Sequence, residues 1–432
     1  VVEAHQVGDF ATYAYRTTDY GRTWTRITQG VPVGPLSFTR SIQEDPVRPG
    51  LLYMGTENRL YVSFDDGANW QPLINNLPPA PMYGIIVQPH FNDLVIGTYG
   101  RGFWILDDLT PLQQLSADVA ASTAHLFAPR DAYRFQSRTS PMSMSNDMTE
   151  GQNPEYGASI NYWLRDVPRG NVTIRVANAA GDTVRTLRGT RNAGLNRVWW
   201  NLEDENSTPV RLRTTPLYAD WVDLGPDRVR VVSGGLSIRQ PPGTYTITLD
   251  VDGRTFSQPL RVLKDPNSEG TEADIAAQLA LVERIRADHD LAADAINRIE
   301  WVRRQILDLR AILEDQANAR ELIAAGDSLT TRLIAIEEDL IQLRITGTGQ
   351  DGVRYPAKIS ERLRYLAGNV ATADFRPTDQ QGEVHAVLET QLEAARSALQ
   401  RVLDADLPAF NRRLQQRNLP GVITDAGGSP AP

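Results

Sequence analysis

A chain of 432 residues is long enough for about three domains of ordinary size, and its 41% hydrophobic content supplies cores for them. The formal net charge of −9 argues against nucleic acid, which requires a basic stripe, and against an anionic membrane surface. No apolar run approaches the ~20 residues of a membrane span, and the absence of cysteine removes disulfides, thiol catalysis and Cys-ligated zinc.

Residues 1–118 read as short strands separated by Gly, Pro and Asn. Val1 to His5 show neither the basic nor the apolar segment of a signal peptide. Strand-like sequence arrives too early for a whole four-stranded unit to precede it, so residues 1–432 are expected to be the C-terminal piece of a larger protein. Two stretches nearly repeat one another: Thr17-Thr18-Asp19-Tyr20-Gly21-Arg22-Thr23-Trp24 and Ser63-Phe64-Asp65-Asp66-Gly67-Ala68-Asn69-Trp70. Their tryptophans stand one period of roughly 40–50 residues apart, the length of a four-stranded propeller blade. In each, a hydroxyl residue enters a tight turn, an Asp accepts the turn's N–H groups and a Gly is free to take positive φ. Both tryptophans are expected to pack back between neighbouring sheets. The segment from Gly100 to Asp108 falls where a third copy belongs but lacks the motif.

From 119 to 266 the strands continue without that period: 160–164, 172–176, 197–202 and 244–249 alternate as half-buried strands, and Asp252-Gly253 makes a hairpin turn. This density predicts an immunoglobulin-like or fibronectin-III-like sandwich, interrupted between about 203 and 238 by an insertion carrying Trp221. Over 267–425 apolar residues recur at helical spacing, from Ile275 to Leu313, Leu329 to Leu343, Ile359 to Val370 and Leu388 to Leu407, with a Gly-rich break at 347–352. Thr271-x-x-Asp274 and Thr378-x-x-Gln381 are candidate capping boxes. An antiparallel helical bundle is expected, with its charges, Glu283, Arg284, Arg303, Arg304, Glu337 and Glu338, on solvated faces, and a flexible tail over 426–432.

The pattern Ser/Thr-x-Asp-x-Gly-x-x-Trp resembles the Asp-box of the BNR-repeat β-propellers, which include sialidases, xyloglucanases and sortilin/VPS10 ectodomains. With the sandwich and helices after it, the chain is similar to the C-terminal part of large bacterial secreted proteins of the sortilin-like or "glycosyl hydrolase, BNR repeat" kind. The resemblance implies partial propeller blades, and a secreted, periplasmic or cell-surface location. In those families the Asp-box is a turn on the blade rim and carries no chemistry. Thr17, Asp19, Gly21, Trp24, Ser63, Asp65, Gly67 and Trp70 are accordingly expected to be structural.

Chemistry is sparse elsewhere. A glycosidase needs two carboxyls roughly 5–9.5 Å apart; Glu44, Asp45, Glu57, Asp93, Asp107 and Asp108 are available, and no spacing singles out a pair. A sialidase-like site would require several arginines gripping a carboxylate; Arg40, Arg59 and Arg101 lie at blade-related places and would be only part of that ring. Gly97 to Gly102 lacks the Lys-Ser/Thr of a phosphate loop. His5, His90, His125, His289 and His385 have no metal-ligand spacing, and Met142, Met144 and Met148 cluster in a Ser/Asn-rich loop of a kind that suits adaptable contact. No catalytic, cofactor or metal residue is assigned. The expected function is non-catalytic binding of a protein, peptide or glycan, with further blades or another chain at the N-terminal edge. The alternatives are part of a secreted glycoside hydrolase, and a structural subunit of a surface assembly.

Overall fold

A computed structural model describes residues 8–135, 151–218, 235–316, 318–344 and 351–424. The chain forms two compact units, one of Val1–Tyr133, Pro141–Asn201 and Gly243–Leu263, the other of Arg134–Ser140, Leu202–Pro242 and Lys264–Pro432. The protein is thus mixed β and α, with several sheets followed by a helical C-terminal region.

In the first unit, β1 (Tyr15–Arg16) and β2 (Thr25–Arg26) pair as a hairpin. They are followed by a four-stranded antiparallel meander of β3 (Thr39–Glu44), β4 (Leu52–Thr56), β5 (Leu60–Ser63) and β6 (Gln71–Pro72), and by a three-stranded one of β7 (Met82–Gln88), β8 (Asp93–Thr98) and β9 (Phe103–Leu106). Pleating sends alternate residues to opposite faces. Leu52, Met54 and Tyr61 therefore share one core with Ala14, Ile27 and Val31, while Leu51, Tyr53, Leu60 and Val62 share another with Ile85, Val87, Leu94 and Ile96. The sheets stack in chain order, each covering a face of its neighbour.

The second and third sheets repeat each other in detail. Each carries a bulge near its start, between Thr39 and Ser41 and between Met82 and Gly84. Gly55 pairs with Leu60 as Gly97 pairs with Phe103. The Thr56 N–H donates to the Arg59 carbonyl at 2.8 Å, and the Thr98 N–H to the Gly102 carbonyl at 3.1 Å.

Two short helices, α1 (Thr110–Gln114) and α2 (Ala117–Ala121), lead into β10 (Ala124–Leu126) and β11 (Ala132–Arg134). Then come β12 (Ala158–Leu164), β13 (Thr173–Ala177), β14 (Thr183–Arg188), β15 (Gly194–Trp200), β16 (Gly243–Val251) and β17 (Arg254–Lys264). They build one sheet ordered β10-β12-β15 and another ordered β11-β17-β16-β13-β14. Trp200 of the first meets Tyr245 of the second edge-on, ring centres 5.1 Å apart. The β16–β17 turn has Asp252 at φ 46° and Gly253 at φ 76°, the left-handed pair that a two-residue hairpin needs to match strand twist.

The second unit contains α3 (Glu272–Leu313), α4 (Arg320–Leu340), α5 (Asp351–Arg354), α6 (Ile359–Val370), α7 (Asp379–Arg401), a π-helical turn (Val402–Asp406) and α8 (Leu407–Gln415). Both expected capping boxes form at Thr271 and Thr378. Packing of α4, α6 and α7 on α3 gathers Ile285, Ile296, Ile299, Leu333, Leu363 and Leu388 into one core.

The segment that interrupts the strand pattern between β15 and β16 also belongs to this unit. Val210, Leu212 and Ile238 enter the helical core, while side chains of α3 accept the backbone N–H groups of an extended stretch. Asp290 accepts from Thr208 at 2.6 Å, Asn297 from Arg211 at 2.6 Å and Glu300 from Thr214 at 2.7 Å. Trp221, like Met142, Met144 and Met148, lies outside the described residues.

Two of the charges expected on solvated helix faces are buried. Arg303 donates to Glu300 at 2.7 Å and pairs with Glu337 across helices. The apolar stripe wraps past the positions that periodicity assigns to solvent, and Arg303 is shared there by the two carboxylates.

Candidate functional site

The two Asp turns fold alike. Thr17 Oγ1 donates to Asp19 Oδ1 at 2.9 Å and accepts the Gly21 N–H at 2.8 Å; Ser63 Oγ donates to Asp65 Oδ1 at 2.8 Å and accepts the Gly67 N–H at 2.9 Å. The two carboxylates then receive the backbone N–H and side chain of Thr23 and of Asn69, at 2.7–2.8 Å. Tyr20 and Gly21, and likewise Asp66 and Gly67, hold positive φ. The Thr23 bonds pull the Asp19 carboxyl down to about 2. Burial pushes Asp65 up, but the bonds from Asn69 and Ser63 outweigh it and leave it below the usual value. The turn itself takes up both carboxylates.

The tryptophans differ. Trp70 is 4% exposed, and its indole N–H donates to the Ile27 carbonyl at 2.7 Å, so it lies between sheets as expected. Trp24 is 58% exposed and its N–H turns back to the Gly21 carbonyl. Its hairpin has only two strands, and no described sheet covers the ring on that side.

The acid candidates are largely engaged. Asp45 caps the Val47 and Arg48 N–H groups and accepts the Tyr53 hydroxyl at 3.1 Å. Glu44 accepts the Gly50 N–H, and Glu57 pairs with Arg40 at 2.7 Å. Asp108, in register with the Asp-turn position of the sheet before and at φ 59°, is buried. It accepts from Asn161 at 2.8 Å and from Ser159 at 2.5 Å, while Arg197 donates to its carbonyl at 3.1 Å. Asp93 pairs with Arg130 at 2.9 Å and accepts the Asp108 N–H. Asp107 is raised, by burial first and then by Asp93. The Asp93 and Asp108 partners named here lie 15 to 89 positions away, so no local motif announces them.

The arginine candidates share one end of the stacked sheets. Arg40 is the second residue of β3, Arg59 sits in the β4–β5 turn and Arg101 in the β8–β9 turn. Only Arg40 is built into a cluster: its guanidinium lies 4.5 Å from the Phe38 ring and 4.5 Å from the Tyr83 ring while it holds Glu57. Tyr83 and Tyr99, 5.9 Å apart, are both exposed. Arg101 offers its carbonyl to the Trp104 indole at 3.0 Å. Gly97 to Gly102 is the end of β8 and the turn into β9, with Gly100 and Gly102 at positive φ, not the start of a helix. Sequence reading missed the two tyrosines, although each immediately follows or precedes a strand residue that the strand pattern marks. Flat aromatic rings beside a fixed guanidinium and carboxylate suit stacking and planar hydrogen bonding.

Among the described residues no group of His, Asp and Glu side chains could hold a metal ion, and no helix is long and apolar enough to cross a membrane.

No protein-family description matches the chain, and no curated protein matches it. Among solved structures, the extracellular domain of a B. thetaiotaomicron protein described as a hybrid two-component system is similar at a TM-score of 0.18 and 13% identity, over 58% of this chain and 28% of that one. The likeness carries no argument about fold or function, and this chain spans 28% of that structure's length.

Proposed function

We propose that the chain is a non-catalytic interaction protein acting outside the cytoplasm, that β1 to β9 are blades of an Asp-box propeller of the BNR, sortilin-like kind, and that the following sheets form an immunoglobulin-like sandwich. Its binding surface is the sheet end carrying Phe38, Arg40, Glu57, Tyr83 and Tyr99, and its ligand is a glycan or a peptide able to stack on exposed rings. The observation that carries the reading is the Arg40 cluster: a guanidinium fixed between two rings and a carboxylate, open to solvent through the tyrosines. The fate of the acids supports binding over hydrolysis. Asp19, Asp45, Asp65 and Asp108 are taken up by turns and buried partners, which leaves Asp107, raised beside Asp93, as the described acid that hydrolysis would have to use.

A glycan and peptide array probed with the full chain tests this. Ligands retained by the wild type and lost by Tyr83→Ala and by Arg40→Ala, with an unchanged melting profile, support the reading. Retention that both substitutions leave intact overturns it.

A further inference from the structure

The third sheet lacks the strand that completes the second. In the second, β6 lies beside β5, with Val62 opposite Gln71 and Tyr61 opposite Pro72, and the Leu73 N–H donates to the Leu60 carbonyl at 2.9 Å. The matched bulges and glycine pairs put Phe103, Trp104 and Ile105 of β9 at the positions of Leu60, Tyr61 and Val62. After Leu106 the chain does not return along β9. The Leu109 N–H bonds the Asn92 carbonyl and α1 begins at Thr110. Among the described residues β9 pairs with β8 alone.

Side-chain exposure follows the same comparison. Leu60 and Val62 are 2% and 3% exposed, being covered by the next sheet, whereas Phe103 and Ile105 are 81% and 60% exposed. Ile86 and Ile105 flank Val95 in register on that face, and Gly84 and Gly97 keep it flat beside Phe103. An apolar sheet face bordered by a free strand edge marks a site of association.

We infer that the free edge of β9 is a binding site for an extended peptide, which adds antiparallel to β9 as β6 adds to β5. The occupied copy of the site within the same unit defines the chemistry. The incoming segment sets two residues opposite Ile105 and Trp104. Its next residue donates an N–H to the Phe103 carbonyl and lays an apolar side chain, as Leu73 does, against Phe103. Main-chain bonds supply affinity and the alternate side chain supplies selectivity. This site stands on the comparison of the two sheets and does not use the Arg40 cluster.

The probe is a labelled synthetic peptide copying residues 68–77, titrated into the full chain by fluorescence anisotropy. In an antiparallel strand a residue's N–H and C=O point to the same edge, so Phe103 and Ile105 present theirs outward, as Leu60 does. Proline at an outward-facing edge position spares the ladder on the other side. Ile105→Pro is therefore expected to weaken the peptide roughly tenfold or more, the equivalent of one lost bridging hydrogen bond, and Phe103→Ala to weaken it with the edge intact. On the wild type, bound peptide slows amide exchange over 103–106. No saturable binding up to about 1 mM, unchanged exchange at 103–106, or a peptide held equally by wild type and Ile105→Pro overturns the inference.

Discussion

Replacing Trp70 by Ala is the sharpest perturbation of the stacked sheets. The ring is 4% exposed and belongs to the core formed with Ala14, Ile27, Val31, Met54 and Tyr61. The backbone also locks there: the Trp70 N–H donates to the Gln29 carbonyl at 2.8 Å, and a Cβ on Gly30 would stand 2.2 Å from the Trp70 carbonyl oxygen. Such a closed site has little room to collapse around a void. Truncating a buried Trp in such a place costs about 3–5 kcal/mol, and the Ile27 carbonyl also loses its indole donor. Trp24→Ala is the internal control, because the same motif places that ring 58% exposed with only a local bond to Gly21. A change of about 0.5 kcal/mol is expected there. Urea denaturation followed by amide exchange in β3 to β6 reads both variants. Equal effects of the two substitutions would refute the claim that burial between sheets, and not the turn motif, sets the role of the tryptophan.

Acid should loosen the first Asp turn. Because the folded Asp19 carboxyl lies below its unfolded value, protonation favours the unfolded chain, so its contribution is full above about pH 4 and lost as pH falls toward 2; Asp19→Asn should flatten that dependence in an acid titration of exchange at Thr23. Glu337 is raised by burial and then by Glu300, so its contribution is present at low pH and lost as pH rises through the folded value. Stability of the helical unit should decline with alkalinity, and Glu337→Gln should remove the decline. Arg303→Met leaves Glu300 and Glu337 facing one another without their shared cation and should cost about 3–5 kcal/mol, measured by thermal melting.

The local signals were readable in the sequence because their chemistry is local. The Asp turns close over four positions, the capping boxes over three, and Asp252-Gly253 fixes its hairpin by backbone preference alone. The α3 stripe was equally plain. Long-range partners were not readable. Asp108 needed Ser159 and Asn161 to bury it, and the extended stretch near Val210 is held by Asp290, Asn297 and Glu300, more than eighty positions away. Helical period alone places Arg303 and Glu337 in solvent, since it cannot register that each ion is the other's partner. The Arg40 cluster takes Phe38 from the same strand end, Glu57 through the β3–β4 pairing and Tyr83 from the neighbouring sheet, which only the stacking brings in.

The Arg40 surface should hold its ligand without reacting with it. Ligands retained on the array should be incubated with stoichiometric protein and their masses measured. Intact ligand is expected to be recovered at its original mass. Release of a hydrolysis product by the wild type, abolished by Asp107→Asn in a protein that still folds, would contradict it.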